Sequence, residues 1–69
     1  MKNVKVNREV IQKYMEDNNL TRDELAKKCN IGKSTLFRVM NYDGYYSIKT
    51  FNKISIYTGI KIQDLIEES

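Results

Sequence analysis

Lys33, Ser34, Phe37, Arg38 and Asn41 fall together on one side of a helical wheel, and Leu36, Val39 and Met40 occupy the other. The first group is a ridge of two cations, two small polar groups and one aromatic ring. Its chemistry is recognition and not bond making. The Lys33 ammonium and the Arg38 guanidinium only donate hydrogen bonds, and the planar fork of Arg38 suits a pair of adjacent acceptors. Catalysis finds no comparable set. The chain has no His, no glycine-rich phosphate loop, and no nucleophile and base at usable spacing, so the reading is of a protein that is not an enzyme. Asp23 and Glu24 are adjacent and do not share a helix face, so they read as a helix start before they read as an acid–base pair. Cys29 is the sole cysteine, and without a His it leaves no Cys/His zinc site; no metal and no cofactor are expected. Cys29 reads as a small buried hydrophobe. A redox role would need a lowered pKa, for which only Lys27 and Lys28 stand nearby.

Several elements must hold that ridge. After Asn7, a plausible N-cap, Val10, Ile11, Tyr14 and Met15 predict a first helix to about Asp17, ended by Asn18-Asn19. Thr21-Arg-Asp-Glu24 is a capping box that opens a second helix, with Leu25, Ala26 and Cys29 as its apolar face and Asn30 as its end. Gly32-Lys-Ser-Thr35 opens the third. Residues 41–46 form a loop with its turn at Asp43-Gly44. Ser47 caps a fourth helix carrying Ile48, Phe51, Ile54 and Tyr57, which Thr58-Gly59 stops. Ile62, Leu65 and Ile66 give a last short helix. Residues 1–6 alternate at Val4 and Val6 and read as a brief strand, an arm or a flexible lead-in, the flexible reading being preferred over a functional one.

With 69 residues the chain is read as a single domain, 1–69, whose small core demands mostly regular structure. The absence of proline and the presence of only three glycines favour helix. A lone cysteine, no visible leader and no apolar run long enough for a membrane predict a soluble, cytoplasmic protein. The net charge of +3 is unevenly laid out. Residues 32–61 carry Lys33, Arg38, Lys49, Lys53 and Lys61 against Asp43 alone, whereas 62–69 carry Asp64, Glu67 and Glu68 and no base. Such a layout suits an oriented approach to a polyanion, and equally a solvated lysine-rich surface.

Arg22 to Met40 is the informative unit: two short amphipathic helices joined by about three residues. Ala26 is small enough for a close, steep crossing, and Asn30 tolerates the positive φ that reverses the chain. Leu25, Ile31, Leu36 and Val39 would close an apolar wedge. On Thr21-Arg-Asp-Glu-Leu-Ala26 and Asn30-Ile-Gly-Lys-Ser-Thr-Leu-Phe-Arg-Val39, then Ser47-Ile-Lys-Thr-Phe51, Ile54-Ser55, Thr58-Gly59-Ile60 and Asp64-Leu65, the chain resembles the Cro/repressor-type helix-turn-helix proteins of phages and bacteria, over residues 8–66. It departs from their pattern at Arg22 (often Gln), Asn30 (usually Gly), Met40 (frequently Glu), Thr58 (Leu) and Lys61 (often a capping Ser or Thr).

The resemblance implies an all-α, five-helix, lambda-repressor-like fold whose second and third helices form the helix-turn-helix. It implies binding to double-stranded DNA with the third helix in the major groove. Lys33, Ser34, Phe37 and Arg38 would read bases: the two cations at guanine O6 and N7, Ser34 with less discrimination, Phe37 against a thymine methyl. Phe37 equally admits a packing role. Arg22, with the amides at the start of the second helix, and Asn41, Tyr42, Tyr45 and Lys49 would contact phosphates. Among Tyr42, Tyr45 and Tyr46, one or two are expected as core or loop anchors. The expected role is a transcriptional regulator, a repressor by operator occupancy, with a homodimer left open and neither a membrane nor a small-molecule ligand as partner. The competing reading is a protein-interaction adaptor on the same scaffold, an antitoxin or an inhibitor encoded by a phage or mobile element, for which the exposed aromatics speak.

Overall fold

The computed structural model describes residues 3–67. Glu68 of the acidic tail, and Met1 and Lys2 of the opening segment, lie outside them. The elements run β1 Asn3–Val6, α1 Arg8–Asp17, α2 Arg22–Cys29, α3 Lys33–Asn41, β2 Tyr46–Ser47, α4 Ile48–Thr58, α5 Ile62–Leu65 and β3 Ile66–Glu67. The five helices match the expected number and order.

The all-α expectation is corrected. A small antiparallel sheet of order β2-β1-β3 joins three distant parts of the chain. Asn3 pairs with Ser47 and Val4 with Tyr46 on one side of β1. Lys5 pairs with Glu67 and Val6 with Ile66 on the other. Of the readings open for the first segment, the brief strand holds for Asn3–Val6. Its cause is the alternation itself: Val4 and Val6 point inward and are buried, while Asn3 and Lys5 are exposed. Ile66 likewise leaves the predicted last helix and pairs as strand, because α5 closes after only four residues.

Local signals set most helix ends. Thr21 Oγ1 accepts from the Glu24 N–H at 3.1 Å while Glu24 Oε1 accepts from the Thr21 N–H at 3.1 Å, which completes the capping box. Asn30 ends α2 in the left-handed region, at φ 58° and ψ 45°, where glycine is usual and Asn the next most tolerant residue. Gly59 does the same for α4 at φ 78°. There the hydroxyl of Thr58 accepts from the Ile60 N–H and donates to the Ile54 carbonyl, so the departure from Leu is put to use in the turn. Lys61, at the N-cap of α5, makes no side-chain cap bond. Asn7 occupies the N-cap position of α1 without capping it. Its backbone N–H and its side chain donate instead to the Leu65 and Asp64 carbonyls.

One apolar cluster gathers every element. Ile11 and Met15 of α1, Leu25, Ala26 and Cys29 of α2, Leu36, Val39 and Met40 of α3, Phe51 and Ile54 of α4 and Leu65 of α5 are buried together with the two valines of β1 and Ile66 of β3. Met40 thus replaces the family's frequent acidic residue with core packing. Ile31, at the turn, is only partly buried against the cluster. Among the described residues no buried side-chain polar atom lacks a partner, and no helix is long and apolar enough to cross a membrane.

Candidate functional site

The pairing of α2 with α3 is the most extensive contact between helices. Ala26, almost fully buried, lets them cross closely, and the Ile31 N–H donates to the Ala26 carbonyl at 3.0 Å across the turn. From α4, Lys53 Nζ reaches the Asn30 carbonyl at 3.3 Å, so this cation of the basic stretch fastens the turn. With the turn held and Leu36, Val39 and Met40 inward, the opposite side of α3 must face out. Lys33, Ser34, Phe37 and Arg38 are all exposed, Phe37 at 50%. They line one shallow concavity together with Asp23 and Tyr42. Phe37 packs edge-on against Tyr42 at 6.1 Å between ring centroids, neither folding back onto α1 nor entering the core.

The surrounding residues divide. Arg22, Asn41, Tyr42, Tyr45 and Lys49 are exposed. Arg22 makes no ion pair with any described residue and stands at the start of α2. The amides expected beside it are partly spent, because the capping box occupies two of them. Asn41 Nδ2 donates to the Phe37 carbonyl at 2.8 Å. Tyr45 lies under the Lys5 ammonium, 5.6 Å from its ring centroid. Tyr42 and Tyr45 lie at the surface, and Tyr46 is the anchor: its hydroxyl meets the Arg38 and Tyr42 carbonyls at 2.7 and 2.6 Å.

Two long-range contacts of α3 and its flanks were not legible in the residue pattern. Arg8 Nη2 pairs with Asp43 at 2.9 Å while its Nε donates to the Val39 carbonyl at 3.3 Å, placing a cation at the C-terminal end of α3, where the helix dipole favours it. Asp23 Oδ2 lies 3.4 Å from Lys33 Nζ, across the turn between the two helices. Neither the helix-start reading of Asp23 nor the acid–base one points to Lys33, because spacing on one helix does not reveal a partner on the next.

Cys29 sits on the inner face of α2, and burial pushes its thiol up to about 11. A raised pKa keeps it protonated and poorly nucleophilic at neutral pH, which leaves the buried-hydrophobe reading in place. Among the described residues no cluster of three or more His, Cys, Asp or Glu could hold a metal ion.

The family model of the Cro/C1-type helix-turn-helix DNA-binding domain matches residues 10–68. Neither a curated protein nor a solved structure matches the chain.

Proposed function

Since the chain belongs to the Cro/C1-type helix-turn-helix DNA-binding family, we propose that it is a transcriptional regulator that represses by occupying an operator, with α3 in the major groove. One observation carries the reading. The inner face of α3 is spent in the core, and the same helix turns Lys33, Ser34, Phe37 and Arg38 outward along one concave strip.

In this reading Arg38 grips guanine O6 and N7 through its fork, and Lys33 donates to a neighbouring guanine. Ser34 bonds to whichever base edge is in reach. Phe37, stiffened by Tyr42 beside it, lies against a thymine methyl. Arg22, Asn41, Tyr42, Tyr45 and Lys49 set the register through phosphate contacts, which carry affinity and salt sensitivity but no sequence. Two copies on a palindrome would place their half-sites about one helical turn apart, near 34–36 Å.

Selection of bound sequences from a random duplex pool identifies the operator and tests two-fold assembly. On that operator, a Lys33→Ala, Arg38→Ala double variant loses specific binding, at about 1–3 kcal/mol for each well-made contact. Its melting temperature stays that of the parent, because both side chains are exposed. Unchanged operator affinity in the double variant would remove α3 from the role given to it. The exposed Phe37, Tyr42 and Tyr45 would serve the adaptor reading as well, but the family match favours DNA.

A further inference from the structure

Two acidic residues stand in the first turn of α2, where the helix dipole favours both, but only one of them makes a capping hydrogen bond. Glu24 is locked into the capping box with Thr21. Asp23 instead turns toward α3 and meets the Lys33 ammonium at 3.4 Å, and its carboxylate forms part of the wall of the concavity that holds Ser34, Phe37, Arg38 and Tyr42. The side chains are 68% and 73% exposed, so the pair adds little to the stability of the fold. A carboxylate on a surface built to approach a polyanion also weakens general attraction. A feature that contributes little to stability and opposes affinity points to selectivity.

We infer that Asp23 is a positioning residue for sequence readout: it steers the Lys33 ammonium away from the phosphates and toward the base edges. This rests on the DNA-binding reading above and deepens it. A free lysine on a flexible stem has two kinds of acceptor in a major groove, and the phosphate oxygens are the more accessible and carry no sequence. The Asp23 carboxylate, 3.4 Å away, draws the ammonium toward its own side of the concavity and so biases its bearing. Its charge also repels phosphates from the same spot. Lys33 thereby contributes discrimination where an unsteered lysine would contribute uniform attraction.

Asp23→Asn is the test, in the full chain, read by selection from a random duplex pool and by salt titration on the selected operator and on a random duplex. Preference at the base pair read by Lys33 falls about tenfold, the lower part of the range for one specific contact. Binding to random duplex tightens, and its logarithmic salt slope steepens by about 0.9, the value for one added phosphate contact. Asp23→Glu restores the parent preference. Asp17→Asn removes the same charge from α1 and leaves the base preference intact. In a Lys33→Ala background, Asp23→Asn no longer alters preference at that position. If the parent binds its operator and Asp23→Asn keeps the same base preference, or if Asp23→Asn lowers that preference equally in the Lys33→Ala background, the steering role is overturned and the DNA-binding reading stands. If the parent shows no salt-dependent duplex binding at all, both fall together.

Discussion

At its first turn α3 begins on Gly32 with no side chain bonded to its leading amides, whereas its last turn is fastened from three directions. Tyr46 brings a hydroxyl to the Arg38 and Tyr42 carbonyls, Arg8 reaches the Val39 carbonyl from α1, and Asn41 bonds back to the Phe37 carbonyl. Side chains therefore anchor the helix at one end and leave it uncapped at the other. Carbonyls at a helix end take donors from side chains or water, while leading amides at an exposed end can be left to solvent or to an anion. The ridge sits between these conditions. Its Lys33 end has room to adjust, and its Arg38 end is set by the packing behind it.

The contrast can be broken or sharpened by substitution. The heaviest blow falls on the support that both ends share. Leu36→Ala opens a cavity at a fully buried site and costs about 2–5 kcal/mol. For a domain this small that is a large part of its stability, and urea unfolding reads it directly. A loss well below 1 kcal/mol would mean that the two ends hold α3 without its inner face.

A smaller loss is expected at the fastened end. Tyr46→Phe removes one hydroxyl from two carbonyls and costs about 0.5–1.5 kcal/mol. Thermal melting measures it, and base preference in the duplex selection stays as in the parent. A changed preference with unchanged melting would show that Tyr46 governs the ridge and not the anchoring. The least effect comes at the open end. Gly32 has φ −68° and ψ 145°, which any residue adopts, and an added Cβ would meet Thr35 Oγ1 at an ordinary 3.6 Å. Gly32→Ser supplies a cap and raises stability by a few tenths of a kcal/mol, seen in the denaturant midpoint with an unchanged slope. A drop in the midpoint would show that this end tolerates no cap.

Much of the helical framework could be read from the residues because its signals are local. The Thr21–Glu24 box, the left-handed Asn30, Ser47 at the head of α4 and Gly59 at its end each act within a few positions, and each lies where the pattern placed it. The alternation of Leu36, Val39 and Met40 against Lys33, Phe37 and Arg38 was equally local. The sheet was not. Two-residue strands have no periodicity to detect, and β1 meets partners that lie far along the chain. The same distance hid the Arg8–Asp43 pair, and the Asp23–Lys33 pair needed the crossing of α2 over α3 to bring it together. Even Asn7 was placed at the right end of α1 with the wrong bond, since its partners on α5 are tertiary.

The central place of β1 also governs how the chain is made. A ribosome delivers this strand before any of the described helices, yet Val4 waits for Tyr46 and Val6 for Ile66. Until those partners emerge both valines lack their strand neighbours, and long-range pairing of this kind is slow to close. A product aborted inside α4 would carry the whole ridge on a body missing one edge of its sheet and the base of its core. Such a fragment lacks Leu65 and Ile66 of the core, so it should open more readily and be cut faster by a protease than the parent.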